Sequence, residues 1–328
     1  MAGWFQVNEK LLNWLAASGS NDDPSKHYCF QWVRKRVGHR LIESPKAKLK
    51  SIQRQILTEF IDCIPVSNSA HGFYKDRNVK SFVADHVKRA VCLKMDLKQF
   101  FPSITAGRIY GLFSSLGYPK PVTRLLTGLC TTIASRTALK ELSGMCTTGQ
   151  QLHQVYSRRH LPQGAPTSPA LSNLVAYRLD RRLEGFVKEA GGRYTRYADD
   201  LLFSFDEKFT SDRQCKNRLK RFANRVAVIA IEEGFEVNFR KTRIMFRAQR
   251  QMAAGLVINE IPNCSRKAFD RLKAILFNCA RKGPGSQNLD SDPRFRERLA
   301  GKVNWVRYVN ESRGNKLLKL FEQIDWQN

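Results

Sequence analysis

Apolar positions along the chain follow two different periods. After Pro45, Leu49, Ile52, Ile56 and Phe60 recur at the spacing of one helix face, with Lys48, Lys50 and Arg54 elsewhere on the helix. Before it, Phe30 to Ile42 holds strand-forming residues on both sides of Val37-Gly38-His39. That pattern predicts a β-hairpin whose arms carry Arg34, Lys35, Arg36 and Arg40. The centre alternates. Strands are expected over Arg89–Leu97, as two short pieces within Tyr194–Phe205, and at Phe235–Phe239 and Gly255–Ile258. Helices are expected over Leu171–Phe186 and Phe222–Glu233, the latter stopped by Gly234. From about residue 261 only helical spacing remains. Its three faces are Phe269, Leu272, Leu276 and Cys279, then Phe295, Leu299, Val303 and Val306, then Leu317, Phe321 and Ile324. This mixture predicts an α/β or α+β architecture ending in a small helical domain.

Charge changes the picture more than composition does. Lys and Arg number 56 against 29 Asp and Glu, a net charge of +27. Such an excess repels itself unless a polyanion is a regular partner, and nucleic acid is the first expectation. From Lys26 to Arg54 there are nine basic residues and one acid, Glu43. From Lys241 onward 18 basic residues face 8 acidic ones, so the helical end is expected to be basic. No apolar run is long enough to span a bilayer, so no membrane partner is expected. Met1 to Ser18 lacks the pattern of a secretory signal. The eight cysteines include no C-x-x-C pair, which argues against a zinc ribbon and for reduced thiols in a cytoplasmic protein.

The candidate chemistry lies in two short segments, Lys94–Phe101 and Arg196–Leu202. Each sets carboxylates in a β-prone, apolar run: Asp96 in the first, Asp199 and Asp200 in the second. An Asp-Asp pair by itself usually marks a solvated turn. Acids inside an apolar run are costly unless a cation compensates them. Hard oxygen ligands suit Mg²⁺, which keeps waters and substrate phosphates in its shell. Three carboxylates from two strands can hold two such ions for in-line attack on a phosphoryl group.

Tyr197-Ala198-Asp199-Asp200 resembles the Y-x-D-D signature of reverse transcriptases. Asp96 followed by Phe100-Phe101 resembles the acidic motif that precedes it, and Leu161 to Pro169 resembles the P-Q-G…S-P motif between the two. Gly234 to Asn238 with Lys241-Thr242 resembles the next motif, and Met252 to Asn259 the primer-grip hairpin. The ordered set runs from about Arg34 to the C-terminus. The resemblance implies an α+β right-hand polymerase. Residues 1–25 would hold an N-terminal helix, 26–88 the fingers, 89–260 a palm with an antiparallel sheet and a helical insertion at about 109–160, and 261–328 a basic helical thumb. It implies that Asp96, Asp199 and Asp200, with the Leu97 carbonyl, hold two Mg²⁺ ions. Phe101 would be the steric gate under the dNTP sugar, with Phe100 beside it, and Gln163 and Gly164 would border the nascent base pair. Arg40 and Lys35 would hold the triphosphate, Lys241 would protonate the departing pyrophosphate, and Gly255 and Leu256 would form the primer grip. Without that context Phe101 reads as a core aromatic, and Lys35 and Lys241 as solvated cations.

Within the family, Leu49 to Arg54, Ala70-His71-Gly72-Phe73 and Gln163 to Pro169 resemble retron and group II intron enzymes. The chain ends soon after the expected thumb, which favours the retron type and leaves no room for a maturase, endonuclease or RNase H domain. That resemblance implies copying of part of a structured noncoding RNA, primed from an RNA 2′-hydroxyl, into a branched RNA–DNA hybrid. It also implies an effector protein encoded nearby and a role in antiphage defence. Two positions depart from the retron pattern. No N-A-x-x-H lies between Asp96 and Pro162, and Ala253-Ala254-Gly255 stands where V-T-G is common. Another defence or abortive-infection reverse transcriptase, protein-primed or untemplated, therefore stays open. A non-catalytic nucleic-acid-binding scaffold is the alternative from a different class.

Overall fold

A computed structural model describes residues 1–16, 26–35, 38–143, 149–206 and 213–326. Arg36 and Val37 of the expected hairpin turn lie outside the described residues. Helix α1 (Glu9–Ala16) is followed by the antiparallel hairpin β1 (Tyr28–Arg34) and β2 (His39–Pro45). Helix α2 (Ala47–Ile56) then runs into a π-helical turn over Leu57–Ile61, which carries Phe60 off the α-face and against Trp4. Helix α3 (Val79–Ala84) leads to β3 (Val91–Asp96). Five helices follow: α4 (Phe100–Ser103), α5 (Ala106–Ser115), α6 (Lys120–Cys130), α7 (Arg136–Ser143) and α8 (Gly149–Tyr156).

The expected helix Leu171–Phe186 is two helices, α9 (Ser168–Val175) and α10 (Tyr177–Glu189), broken at Ala176. Both halves keep helical spacing, so the hydrophobic pattern carries no sign of the break. Strands β4 (Gly192–Tyr197) and β5 (Asp200–Phe205) and helix α11 (Arg213–Glu232) come next. The expected strand at Phe235–Phe239 is absent. Phe235 and Val237 are buried as alternation requires, but only one bridge, Leu97 to Val237, forms there, because the segment lies past the end of β3. The edge strand is β6 (Arg243–Phe246) instead. Short strands β7 (Met252–Ala253), β8 (Leu256–Val257) and β9 (Asn263–Cys264) make a small sheet before α12 (Arg266–Lys282), α13 (Phe295–Val309) and α14 (Glu311–Glu322).

The central sheet has strand order β4-β5-β3-β6 and every neighbour is antiparallel. Side chains alternate between its faces. Val91, Leu93, Met95, Leu201, Phe203 and Phe205 join α9, α10 and α11 in the main core. Cys92, Leu202 and Met245, on the other face, belong to a second core built with α3, α12, α13 and α14. The α+β expectation holds. Among the described residues no helix is long and apolar enough to cross a membrane.

Two buried polar groups tie these layers together. Arg196 of β4 and Asp180 of α10 have no solvent exposure and pair in a bidentate geometry at 2.8 and 2.7 Å. Tyr194 Oη donates to the same carboxylate at 2.8 Å. On the opposite face, His86 contacts Ser204 Oγ at 2.7 Å and Thr195 Oγ1 at 2.9 Å. Thr195 donates its own proton to the Phe82 carbonyl, so it accepts from His86 Nε2–H and leaves Nδ1 to accept from Ser204. Burial, followed by the nearby Arg89, His71 and Arg193 charges, lowers the His86 pKa to about 3.

Removing one partner of a buried ion pair strands the other charge. Arg196→Leu is therefore expected to lower the unfolding free energy by about 3–5 kcal/mol in urea titrations, with Arg196→Leu/Asp180→Leu losing less. His86 predicts a pH dependence. Between about 6.5 and 3 the unfolded chain binds a proton that the folded chain refuses, so stability falls as pH falls. The slope from this group reaches about 1.4 kcal/mol per pH unit. His86→Phe should remove that part of the slope when urea midpoints are compared from neutral pH downward.

Candidate active site

Asp96 ends β3 and Asp200 begins β5, and the two are paired in register, so their side chains share one face of the sheet. Asp199 sits on the two-residue turn Ala198-Asp199 that joins β4 and β5, close to both other carboxylates. Ala198 is left-handed there, with φ of 54°. The turn is clamped on several sides. Arg196 Nη1 donates to the Ala198 carbonyl at 3.2 Å and to Asn173 Oδ1 at 3.1 Å, and Asn173 Nδ2 donates to the Gly72 carbonyl at 2.7 Å. Asn173 of α9 and Asp180 of α10 thus hold the same guanidinium from either side of the break at Ala176. A Cβ on Gly72 would sit 2.9 Å from the Ala198 nitrogen, so only glycine lets this segment approach the turn.

Burial and the neighbouring Asp96 and Asp200 charges raise the pKa of Asp199. Lys241, in a 3-10 turn over Phe239–Lys241, donates to both Asp96 oxygens at 2.9 and 2.8 Å. Lys94 reaches Asp200 Oδ2 at 2.8 Å. The Leu97 N–H donates to the Asp199 carbonyl at 2.9 Å, while its neighbours Asp96 and Lys98 bond to Asn238 and Glu236. An extended residue sends its N–H and C=O to the same edge, so the Leu97 carbonyl faces the Asp199 turn. Among the described residues no three His, Cys, Asp or Glu side chains close into a ready metal cage. The donor set nevertheless fits a hard divalent cation. Its carboxylates and one carbonyl are all oxygen, and their mutual repulsion is already answered by ammonium groups.

An open groove of about 530 Å³ is lined by Arg40, Lys50, Arg54, Phe73, Phe101, Gln163 and Gly164. Phe101 and Phe73 lie 6.2 Å apart, and Phe73 and Tyr197 are separated by the same distance. Burial and the nearby Arg40 and Lys241 charges hold Lys35 below the usual lysine range, with Asp199 and Asp96 opposing them. Phe100 corrects the sequence expectation. It is turned into the core, stacked on Phe235 at 5.5 Å, and does not line the groove. Helix periodicity decides this, since consecutive residues of α4 cannot share a face. Leu256 is also fully buried, in the second core, so only its backbone can act at a surface. Gly255 is the exposed tip of the β7–β8 turn.

One arrangement at the groove was not anticipated. Glu43 of β2 and His160 are both fully buried and 3.0 Å apart. His160 Nδ1 also meets the Arg158 carbonyl at 2.6 Å, so both ring nitrogens donate. Burial opposes the charged ring, but the Glu43 carboxylate and the Arg158 carbonyl together raise its pKa. Glu43 also accepts from the Gln163 N–H at 3.2 Å, and its own N–H donates to the Gln163 carbonyl at 2.8 Å. Gly164 follows with φ of 138°, where a Cβ would meet the Glu43 carbonyl at 3.0 Å. The available signal was that Glu43 is the one acid within a run of nine basic residues.

Residues 33–274 match the family described as reverse transcriptase (RNA-dependent DNA polymerase). The retron Mx65 reverse transcriptase of Myxococcus xanthus is 38% identical over 317 residues, covering 93% of this chain and 69% of that protein. The retron Mx162 reverse transcriptase of the same organism is 34% identical over 327 residues, covering 96% of this chain and 64% of that one. The chain thus spans about two thirds of the length of these relatives. Among solved structures, the telomerase of Candida albicans in complex with a TWJ fragment of telomeric RNA overlays with a TM-score of 0.47 at 11% identity. That overlay covers 96% of this chain and 59% of that one. On the family match and the extent of the retron similarity, this chain belongs to the reverse transcriptase family of RNA-dependent DNA polymerases and is of the retron type.

Proposed function

We propose that the chain copies part of a cognate structured noncoding RNA into DNA, primed from an RNA 2′-hydroxyl, to give a branched RNA–DNA hybrid. The observation that carries the chemistry is the pairing of Asp96 with Asp200 across β3 and β5, with Asp199 on the adjoining turn. The retron-type relatives support the choice of template and primer. Reverse transcriptases use divalent metals, and here two Mg²⁺ ions are assigned to Asp96, Asp199, Asp200 and the Leu97 carbonyl. When bound, they would supply Lewis-acid charge at the attacking hydroxyl and at the transferring phosphate.

The chain's own residues do the rest. The attacking oxygen, the RNA 2′-oxygen in the first addition and the DNA 3′-oxygen afterwards, loses its proton to solvent and bonds to the α-phosphorus as the bond to pyrophosphate breaks. Arg40 and Lys35 hold the triphosphate, guanidinium being the better geometric match to phosphate oxygens. Lys241, beside Asp96, gives its proton to the leaving pyrophosphate. The Phe101 ring closes the groove where a 2′-hydroxyl would sit. Gln163 and Gly164 stand against the new base pair, where the absent Cβ permits close approach. Residues 26–88 would act as fingers, 89–260 as palm and 261–328 as thumb around an A-form duplex gripped through its backbone. A cytoplasmic location, an effector protein encoded nearby and a role in antiphage defence complete this reading.

The experiment is expression with the native flanking DNA, followed by RNase and debranching enzyme on the copurified nucleic acid. A discrete short DNA whose mobility changes on debranching is expected. Asp199→Ala should abolish it and lower RNA-templated synthesis by on the order of 10³-fold or more, with an unchanged melting midpoint. DNA joined to protein, or of untemplated sequence, would overturn the retron reading. Phe101→Val should admit ribonucleotides, raising the rNTP to dNTP ratio of kcat/KM by roughly tenfold or more in single-nucleotide extension.

A further inference from the structure

Strand β2 presents two faces. Arg40 and Ile42 line the groove that also holds Phe101, Gln163 and Gly164, whereas Leu41 and Glu43 point the other way and have no solvent exposure. Leu41 packs with Ala138 and Tyr156, an apolar contact without direction. Glu43 makes directional bonds instead. Both of its carboxylate oxygens lie 3.0 Å from His160 Nε2, and one also accepts from the Gln163 N–H. His160 is itself fastened. Its N–H donates to the Thr132 carbonyl at 2.8 Å, its carbonyl accepts from the Thr132 N–H at 2.9 Å, and its ring meets Tyr156 edge-on at 5.3 Å. The next residue, Leu161, donates to the Ile104 carbonyl at 2.9 Å, directly after the helix that carries Phe101.

These bonds bring three walls of the groove to one buried point: the strand of Arg40, the segment of Gln163 and Gly164, and the end of α4. Burying a carboxylate is costly, and an apolar side chain at position 43 would extend the Leu41 contact at less cost. What the carboxylate adds is direction. A guanidinium bonds phosphate oxygens only within narrow limits of distance and angle, so a small slide of β2 would take Arg40 out of reach of a triphosphate whose base rests against Gln163. Glu43 and His160 do not line the groove, so they act on a nucleotide only through the residues they hold.

We propose that Glu43 and His160 are positioning residues for the incoming nucleotide: their hydrogen bonds hold Arg40 at a fixed distance from Gln163 and Gly164, so that the triphosphate and the base of one dNTP are gripped in register. The inference rests on the dNTP reading above and deepens it, and it is tested by nucleotide binding without synthesis.

The probe is the correct dNTP, added with Mg²⁺ to the full chain on a dideoxy-terminated DNA primer annealed to an RNA template. The readout is the dNTP concentration that traps half of the complex against a heparin challenge. Glu43→Met/His160→Leu replaces both partners by apolar groups of similar size, so its melting midpoint should match the parent. The trapping concentration should nevertheless rise by roughly tenfold. Glu43→Gln should stay within about threefold of the parent, since its amide oxygen still accepts from the Gln163 N–H and its amide N–H donates to a neutral His160 Nε2. In an Arg40→Ala background the apolar pair should add less than about threefold, because it acts through Arg40, whereas a general loosening would add its whole factor again. Should the apolar pair not fold, His160→Leu, which keeps the bond from Gln163 to Glu43, should lose affinity in the same direction. Parent-like trapping by the apolar pair, or by His160→Leu where the pair does not fold, would overturn the proposal. So would an equal loss in Glu43→Gln, or an undiminished loss on top of Arg40→Ala. A parent that traps no primer–template at any dNTP concentration would overturn the polymerase reading itself and this proposal with it, so the two failures are separately visible.

Discussion

A guanidinium sealed from water sets the geometry of this molecule. Arg196 is fully buried, and its charge is tolerable only because Asp180 meets it at two points and Asn173 and the Ala198 carbonyl meet it at others. Those partners come from α9, α10 and the β4–β5 turn. The bond to Ala198 is the consequential one, since it fixes the peptide leading into Asp199 while Ala198 is held left-handed. A single buried charge thereby turns helix packing into the placement of a carboxylate.

The sheet converts the same order into two chemistries. Its alternation sends Val91, Leu93 and Met95 into one core, and Cys92 toward the C-terminal helices. Lys94 and Asp96 occupy the second face where that core runs out, so the acids emerge at its margin beside Asp200. There the excess positive charge of the chain becomes local. Lys241 and Lys94 contact the acids, and Lys35 and Arg40 are close enough to perturb one another. Cations arranged this way balance three carboxylates and also suit a triphosphate.

The hairpin carrying Arg40 is held by a different device. Glu43 and His160 form a buried hydrogen-bonded pair, and the Gln163 peptide bonds to both the side chain and the backbone of Glu43. Arg40, three residues before Glu43, is thus fastened to the segment that contains Gln163 and Gly164. The two walls of the groove are registered against each other by these hydrogen bonds, alongside the packing of Leu41 with Ala138 and Tyr156.

The amino-acid sequence by itself determined the three acids, their two strands, the helical end and its basic charge. These features are local: period-2 and period-3.6 burial, and carboxylates in apolar runs, depend only on near neighbours in the chain. The sequence also carried Phe100-Phe101 as a pair, but only α4 geometry separated the ring in the core from the ring in the groove. The break at Ala176, the lone bridge at Val237 and the pairing of β6 with β3 were decided by tertiary structure. In each case local pattern was satisfied by more than one arrangement. The Arg196–Asp180 and Glu43–His160 pairs were decided there too, because a buried charge is stable only where a distant partner meets it, and no local pattern encodes that partner.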